Sequence, residues 1–295
     1  MKVMITGGLG FIGSHLEPAL VAEGHDVHIM DRNRVKREQY HRGDICDYIR
    51  MQEIFNEVKP DIVYHFAGMV SRKECEETPQ MAILTNVTGT LNVVNLCKEY
   101  GSKIVYAGSS EEYGTAFDKG NTVTETTPLG TPTSIYSMTK RMADEIVEYY
   151  ATFKGIEAVR FRFFMFYGEG EPATEYRSAI TRFVDAAKKD EPITAHAGTE
   201  RSWCHIDDGI SALIKAIRIK GGLYNIGRNE PVKTVDLATK IVDITKSKSR
   251  INIISPEKTI IPIKRAGFLK ARNELGWEAK ISLDEGLKRV VGKEA

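Results

Sequence analysis

The chain has 295 residues, with 41 basic and 40 acidic side chains and a formal charge of +1. That balance argues against a surface built to bind nucleic acid or an anionic membrane. Forty-two per cent hydrophobic residues supply a core for one large α/β domain or two lobes and exclude global disorder. Cys46, Cys75, Cys97 and Cys204 are widely spaced, with no Cys or His pair at metal-ligand spacing. They read as reduced thiols, and no metal is expected. The N-terminus opens on a strand pattern, with no signal peptide and no apolar run of membrane length, so a soluble cytoplasmic protein is expected.

Strand patterns at residues 3–6, 26–30, 62–66, 103–107 and 158–163 alternate with helical patterns at 11–23, 48–58, 79–100 and 134–153. Such alternation predicts right-handed crossovers and a doubly wound, Rossmann-like parallel sheet covered on both faces. Beyond about residue 167 the rhythm is less regular. Helices are predicted at 176–189, 207–218, 234–245 and 283–291, and strands at 203–206, 222–226 and 250–254. The expected division is a dinucleotide-binding domain over 1–166 and a smaller α/β substrate lobe over 167–295, with chain crossings between them.

Gly7, Gly10 and Gly13 form a turn directly after the first strand and before the first helix, which Phe11 and Ile12 open. Glycines here let the backbone approach a pyrophosphate resting on the positive helix N-terminus. Asp31 ends the second strand, where a carboxylate accepts from a ribose diol and repels a 2′-phosphate. Arg32 and Arg34 beside it are of the type that accommodates a 2′-phosphate, but Asp31 favours NAD over NADP.

Tyr136 and Lys140 lie four residues apart in the helical pattern at 134–153, so both face one side of it. An ammonium beside a phenol favours the phenolate and suits the tyrosine to take a proton from a hydroxyl. Tyr150 and Lys154 repeat the spacing, about 21 Å farther along at 1.5 Å per residue. Tyr136 starts its helix next to the sheet edge where ligands bind in this class of fold, which makes Tyr150 the packing residue.

Glycine spacing, Asp31 and the Tyr136–Lys140 pair together resemble the extended short-chain dehydrogenase/reductase family, specifically its nucleotide-sugar epimerases and dehydratases, among them enzymes of the UDP-glucose 4-epimerase type. The resemblance covers nearly the whole chain. It implies cofactor contacts at Gly7, Gly10, Phe11, Ile12, Gly13 and Asp31. Asp44 and Ile45 resemble the adenine-contacting turn, Ala67 and Gly68 the loop after the fourth strand, and Asn86 the long-helix motif. Tyr136 and Lys140 complete the cofactor set.

The segment 107–114 resembles the one carrying the catalytic serine or threonine. This implies Ser109 as the hydrogen-bond partner of the reacting oxygen, with Ser110 beside it and both touching substrate. Lys140 would hold the nicotinamide ribose and lower the Tyr136 phenol, and Tyr136 would deprotonate a sugar hydroxyl. Re-reduction of the 4-keto sugar on its other face gives a 4-epimerase holding NAD tightly. Glu111, two places after Ser109, resembles the acid of the family's dehydratases and decarboxylases, which leaves a 4,6-dehydratase or decarboxylase as the alternative. An NAD(P)-dependent carbonyl reductase is a further reading.

Residues 201–208 resemble the segment whose arginine, here Arg201, clamps the substrate diphosphate. There His205 reads as structural and Asp207 and Asp208 as caps of the next helix. Met165 stands where the family usually has an asparagine, and no second diphosphate arginine is evident; Lys258, Lys264 and Arg265 are the nearby cations. The long helices at 79–100 and 134–153 resemble those that pair across a two-fold axis, implying a homodimer.

Overall fold

The computed structural model describes residues 1–292. The first part of the chain runs β1 (Lys2–Thr6), α1 (Phe11–Ala22), β2 (Asp26–Asp31), β3 (Tyr40–Arg42), α2 (Tyr48–Val58) and β4 (Ile62–His65). Then come α3 (Arg72–Glu77), α4 (Pro79–Ile83), a π-helical stretch Leu84–Thr88, α5 (Gly89–Tyr100) and β5 (Lys103–Ser109). A 3-10 stretch Ser110–Gly120 leads to β6 (Thr122–Val123), α6 (Ile135–Phe153), β7 (Ala158–Phe163) and β8 (Phe166–Tyr167). Next are α7 (Ala179–Lys188), β9 (Ile193–His196), β10 (Glu200–Ser202), β11 (Cys204–His205), α8 (Ile206–Lys215) and β12 (Gly222–Ile226). The chain continues through β13 (Pro231–Lys233), α9 (Thr234–Thr245), β14 (Ile251–Ile254), β15 (Arg265–Ala266), α10 (Leu269–Leu275) and α11 (Leu283–Gly292).

The central sheet has seven strands in the order β12-β7-β5-β4-β1-β2-β3. Strands β3, β2, β1, β4 and β5 pair in parallel. The chain winds from β1 outward to β3, then returns to β4 on the other side of β1. That reversal makes the C-terminal ends of β1 and β4 the switch point at which α/β sheets bind ligands. Strands β4 and β5 are buried along their whole length, as a sheet covered on both faces requires.

Two compact units divide the chain. The first comprises Met1–Glu112, Ser134–Arg162 and Ile210–Tyr224; the second comprises Tyr113–Thr133, Phe163–Gly209 and Asn225–Ala295. The expected boundary at 166/167 falls near one crossing, but residues 113–133 belong to the second unit and 210–224 to the first. The first unit's core includes Met4, Ile54, Phe55, Val93, Ile104, Tyr106 and Val147. Side chains of Ile180, Phe183, Val184, Trp203, Leu237, Ile241 and Leu287 build a core in the second. No helix among the described residues is long and apolar enough to cross a membrane.

Most predicted elements appear within two or three residues. Helix 79–100 is interrupted by the π-helical stretch that carries Asn86, a feature common at functional sites. Short pieces such as β3, α3 and β15 were not predicted, being too brief for hydrophobic periodicity to register.

Candidate active site

The switch point is built by two tight loops of the first unit. Gly7 has φ of 68°, and a Cβ there would lie 2.7 Å from the Ala67 amide nitrogen. At Gly13 a Cβ would come within 2.7 Å of the Gly8 carbonyl oxygen. Only glycine lets the turn after β1 fold against residues 66–67 and the start of α1. Gly10 caps α1 without a side-chain hydrogen bond, so the first-turn amides of Phe11, Ile12 and Gly13 remain suited to an anion. Asp31 ends β2 and accepts from the Leu9 amide at 3.3 Å and the Asn33 amide at 3.1 Å, bringing its carboxylate to the glycine turn. This cradle and acid suit the pyrophosphate and ribose of NAD.

The remaining predicted cofactor residues divide by exposure. Asp44 is exposed, and its carboxylate caps the Cys46 amide at 2.9 Å. Ile45 is buried in the core, close enough to α5 that a Cβ on Gly89 would meet its Cδ1 at 2.5 Å. Gly68 is exposed and Ala67 half-buried. Asn86 is buried: its Oδ1 accepts from the Met69 amide at 2.8 Å, and its Nδ2 donates to the Met69 carbonyl and Thr139 Oγ1, each at 3.0 Å. Those bonds shape the Ala67–Gly68 loop and tie it to α6. Buried His65 joins Thr6 Oγ1 at 2.7 Å and Thr90 Oγ1 at 3.0 Å, linking the two central strands to α5. Burial, then Lys140, pushes its imidazole down to about 3.

Ser109 ends β5 rather than sitting in a loop. Its hydroxyl accepts from the Glu111 amide at 3.2 Å and lies near enough to the Tyr136 phenol to favour its ionised form. Ser110 is buried beside it. Helix α6 begins where Ser134 caps the Ser137 amide at 3.0 Å and Glu76 accepts from the Ile135 amide at 2.8 Å. Ser137 Oγ then donates to the Glu111 carbonyl at 2.7 Å, which locks the 3-10 stretch to the helix. Neither Glu76 nor Ser137 carried a motif that sequence reasoning could use.

Burial raises the Tyr136 phenol well above its ordinary range; the Ser109 hydroxyl opposes this, while Glu111, Glu112 and Cys75 add to it. The expected lowering by Lys140 is therefore not what dominates here. Lys140 donates its ammonium to the Ala107 carbonyl and lies 4.6 Å from the Tyr106 ring centroid. Burial lowers its pKa, against the pull of Glu112, Asp144 and Cys75. At the other end of α6, Tyr150 donates to Asn95 and packs on the core, and Lys154 sits over the Tyr149 ring. The second Tyr–Lys spacing is structural.

No sequence motif pointed to Glu112, whose side chain has no exposed surface. Its Oε1 accepts from the Ser109 amide at 2.6 Å and its Oε2 from Arg162 Nε at 2.7 Å. Arg162 and Arg160 both reach Asp144 Oδ2, at 3.0 and 3.2 Å, and Arg160 also meets Glu148.

In the second unit, Arg201 on β10 donates to the carbonyls of Glu200, Pro262 and Ile261, each at 2.8 Å. Arg265 pairs with Glu200, so these arginines are gathered around one strand, whereas Lys264 is buried and Lys258 exposed. Met165 has φ of 45°, a left-handed conformation that a short amide tolerates better than a thioether side chain. Its side chain packs on the second unit's core. His205 is structural as expected, accepting from the Asp207 amide and bonding Glu169 at 3.0 Å. Asp207 and Asp208 lie inside the first turn of α8 rather than capping it, because Asp208 accepts instead from the Lys280 and Ile281 amides.

Residues 3–227 match the model of the NAD-dependent epimerase/dehydratase family. UDP-glucuronic acid decarboxylase 6 of Arabidopsis thaliana is 30% identical, over 97% of this chain and 87% of its own length. A putative UDP-glucose 4-epimerase of Methanocaldococcus jannaschii is 28% identical, over 98% of this chain and 97% of its own. Among solved structures, the Thermus thermophilus UDP-glucose 4-epimerase in complex with NAD superposes with a TM-score of 0.91 at 26% identity, covering 99% of this chain and 98% of that one. With the glycine cradle and Asp31 in place, the chain belongs to the NAD-dependent epimerase/dehydratase family, and NAD is its cofactor.

Proposed function

We propose that the protein is an NAD-dependent nucleotide-sugar 4-epimerase that passes through a transient 4-keto sugar. The observation that carries this reading is the placing of Ser109 at the end of β5 near Tyr136 in the first turn of α6, with Lys140 one helical turn along. The turn at Gly7–Gly13, Phe11, Ile12, Asp31, Asp44, Ile45, Ala67 and Gly68 would hold NAD, with Asn86 shaping its loop and Lys140 and Tyr136 at the nicotinamide end. When bound, NAD supplies the hydride acceptor and donor. Tyr136 takes the proton of the sugar hydroxyl and returns it, while Ser109 donates to the same oxygen as it becomes a carbonyl. Ser110 and Arg201 are the proposed substrate contacts, Arg201 for the diphosphate.

Glu111 supports a second reading. Its carboxylate charge acts on the Tyr136 phenol, so a base stands near the reacting centre for proton chemistry beyond oxidation. That would make the enzyme a 4,6-dehydratase or, on a uronic acid, a decarboxylase. Incubating purified enzyme with a panel of UDP-, dTDP-, GDP- and CDP-sugars, read by NMR, separates these. A C4-inverted sugar supports the epimerase; a 4-keto-6-deoxy or decarboxylated product transfers the assignment to the Glu111 reading. Steady consumption of added NADPH would mark a carbonyl reductase instead.

A homodimer is part of the proposal. Leu91, Met142, Glu145, Ile146, Tyr149 and Tyr150 line a cavity of about 500 Å³ on the α5–α6 face, and Met142 and Tyr149 are each at least 40% exposed. Sedimentation should show a dimer that Met142→Glu weakens. The four free thiols suit a reducing cytoplasmic setting.

A further inference from the structure

A buried carboxylate needs a reason, because ionised groups are rarely enclosed unless paired. Glu112 is enclosed completely, and Gly108 leaves room for it: a Cβ on that glycine would lie 2.6 Å from Glu112 Oε1. The carboxylate is thereby folded back to the Ser109 amide on one side and Arg162 on the other. Arg162 continues to Asp144, which sits one turn beyond Lys140 and two beyond Tyr136 on α6. The chain of contacts thus runs from the serine's backbone to the helix that carries the tyrosine and lysine. Within it, Arg160 and Arg162 pair with Glu112, Asp144 and Glu148, and the charges of Glu112 and Asp144 act on Lys140.

We propose that Glu112 is a positioning residue of the oxidation site: it fixes the backbone at Ser109 and balances the charge of Arg162, which reaches Asp144 on the helix that carries Tyr136 and Lys140. A purely structural ion pair would not need the Ser109 bond. The other groups acting on this cluster are Tyr136 and Asp144 on α6, Tyr106 on β5, His65 on β4, Cys75 on α3 and Glu111 in the 3-10 stretch. Burial and Asp144 raise the Glu112 carboxyl, whereas Arg162 and the Ser109 amide favour its ionised form. Removing the Glu112 charge therefore makes Lys140 release its proton at lower pH, and removing the Arg162 charge acts in the opposite sense.

The inference rests on the oxidation chemistry proposed above, so its test includes an arm that needs no substrate. Full-length NAD-loaded enzyme is labelled with trace acetic anhydride across a pH series, and Lys140 acetylation is read by peptide mass spectrometry. Glu112→Gln keeps an acceptor for the Ser109 amide and should move the Lys140 midpoint down by about one pH unit. Arg162→Gln should move it up, and the double variant should return it towards the wild-type position. With any nucleotide sugar of the panel that turns over, the alkaline limb of kcat should follow the same order while KM changes less than twofold. Should Glu112→Gln fail to fold, comparison of Arg162→Gln with the charge-compensated double variant decides. An unmoved Lys140 midpoint, or shifts in the same direction for both single variants, overturns the proposal. If no sugar of the panel turns over, the epimerase reading fails while the labelling arm still decides the role of Glu112.

Discussion

The first unit presents a cofactor cradle whose residue types and backbone agree, whereas the second holds its conspicuous residues in less familiar ways. Gly7 and Gly13 occupy positions where a side chain would collide with backbone, and Asp31 reaches the same turn. In the second unit, Met165 adopts a left-handed backbone that an asparagine would tolerate better, and Arg201 is braced by three carbonyls. On the proposed function, the contrast follows from what each unit would recognise. A pyrophosphate and ribose are the same in every NAD enzyme, so the geometry that holds them is narrow; substrate groups differ, and their sites tolerate change.

That comparison can be broken in several ways. Tyr136→Phe removes the proton-transferring hydroxyl and should lower kcat by roughly 10²–10⁴-fold while NAD stays bound. Retained turnover would remove the first unit's claim to the chemistry. Gly13→Ala forces a Cβ to within 2.7 Å of the Gly8 carbonyl and should weaken NAD binding at least about tenfold, as read by cofactor retention during gel filtration. For the second unit, Arg201→Lys loses the planar fork and should raise KM for the turned-over nucleotide sugar by roughly tenfold, with kcat little changed. A selective kcat loss would instead place Arg201 with the chemistry. Met165→Asn, the smallest change, should relieve about 1 kcal/mol of backbone strain, offset in part by lost packing. Its expected signature is a melting temperature within about 3 °C of the parent and a KM lowered two- to threefold.

The sequence was most legible where backbone constraint and chemistry coincide. Glycines 7, 10 and 13 announced the turn because no other residue fits two of those positions, and the strand–helix alternation announced the sheet. Ser109 and Tyr136 were singled out by their place at the end of β5 and the start of α6, and the structure brings them close enough for Ser109 to act on the Tyr136 phenol. Asn86 illustrates a different outcome: its motif implied a cofactor contact, whereas its amide is engaged with Met69 and Thr139. Glu112 was invisible because a glutamate after a polar run reads as surface until the fold shows Arg162 waiting for it. The link of Arg265 to Glu200 was equally invisible, because it spans 65 residues.

Strand β12 gives the alternating path of the chain a consequence in time. It forms one edge of the central sheet beside β7, yet about 60 residues separate the end of β7 at Phe163 from the end of β12 at Ile226. At synthesis rates of about 5–20 residues per second, that edge stays unfinished on the ribosome for roughly 3–12 s after β7 has emerged. During that interval β7 presents an open flank, and a nascent chain halted there is a candidate substrate for chaperones.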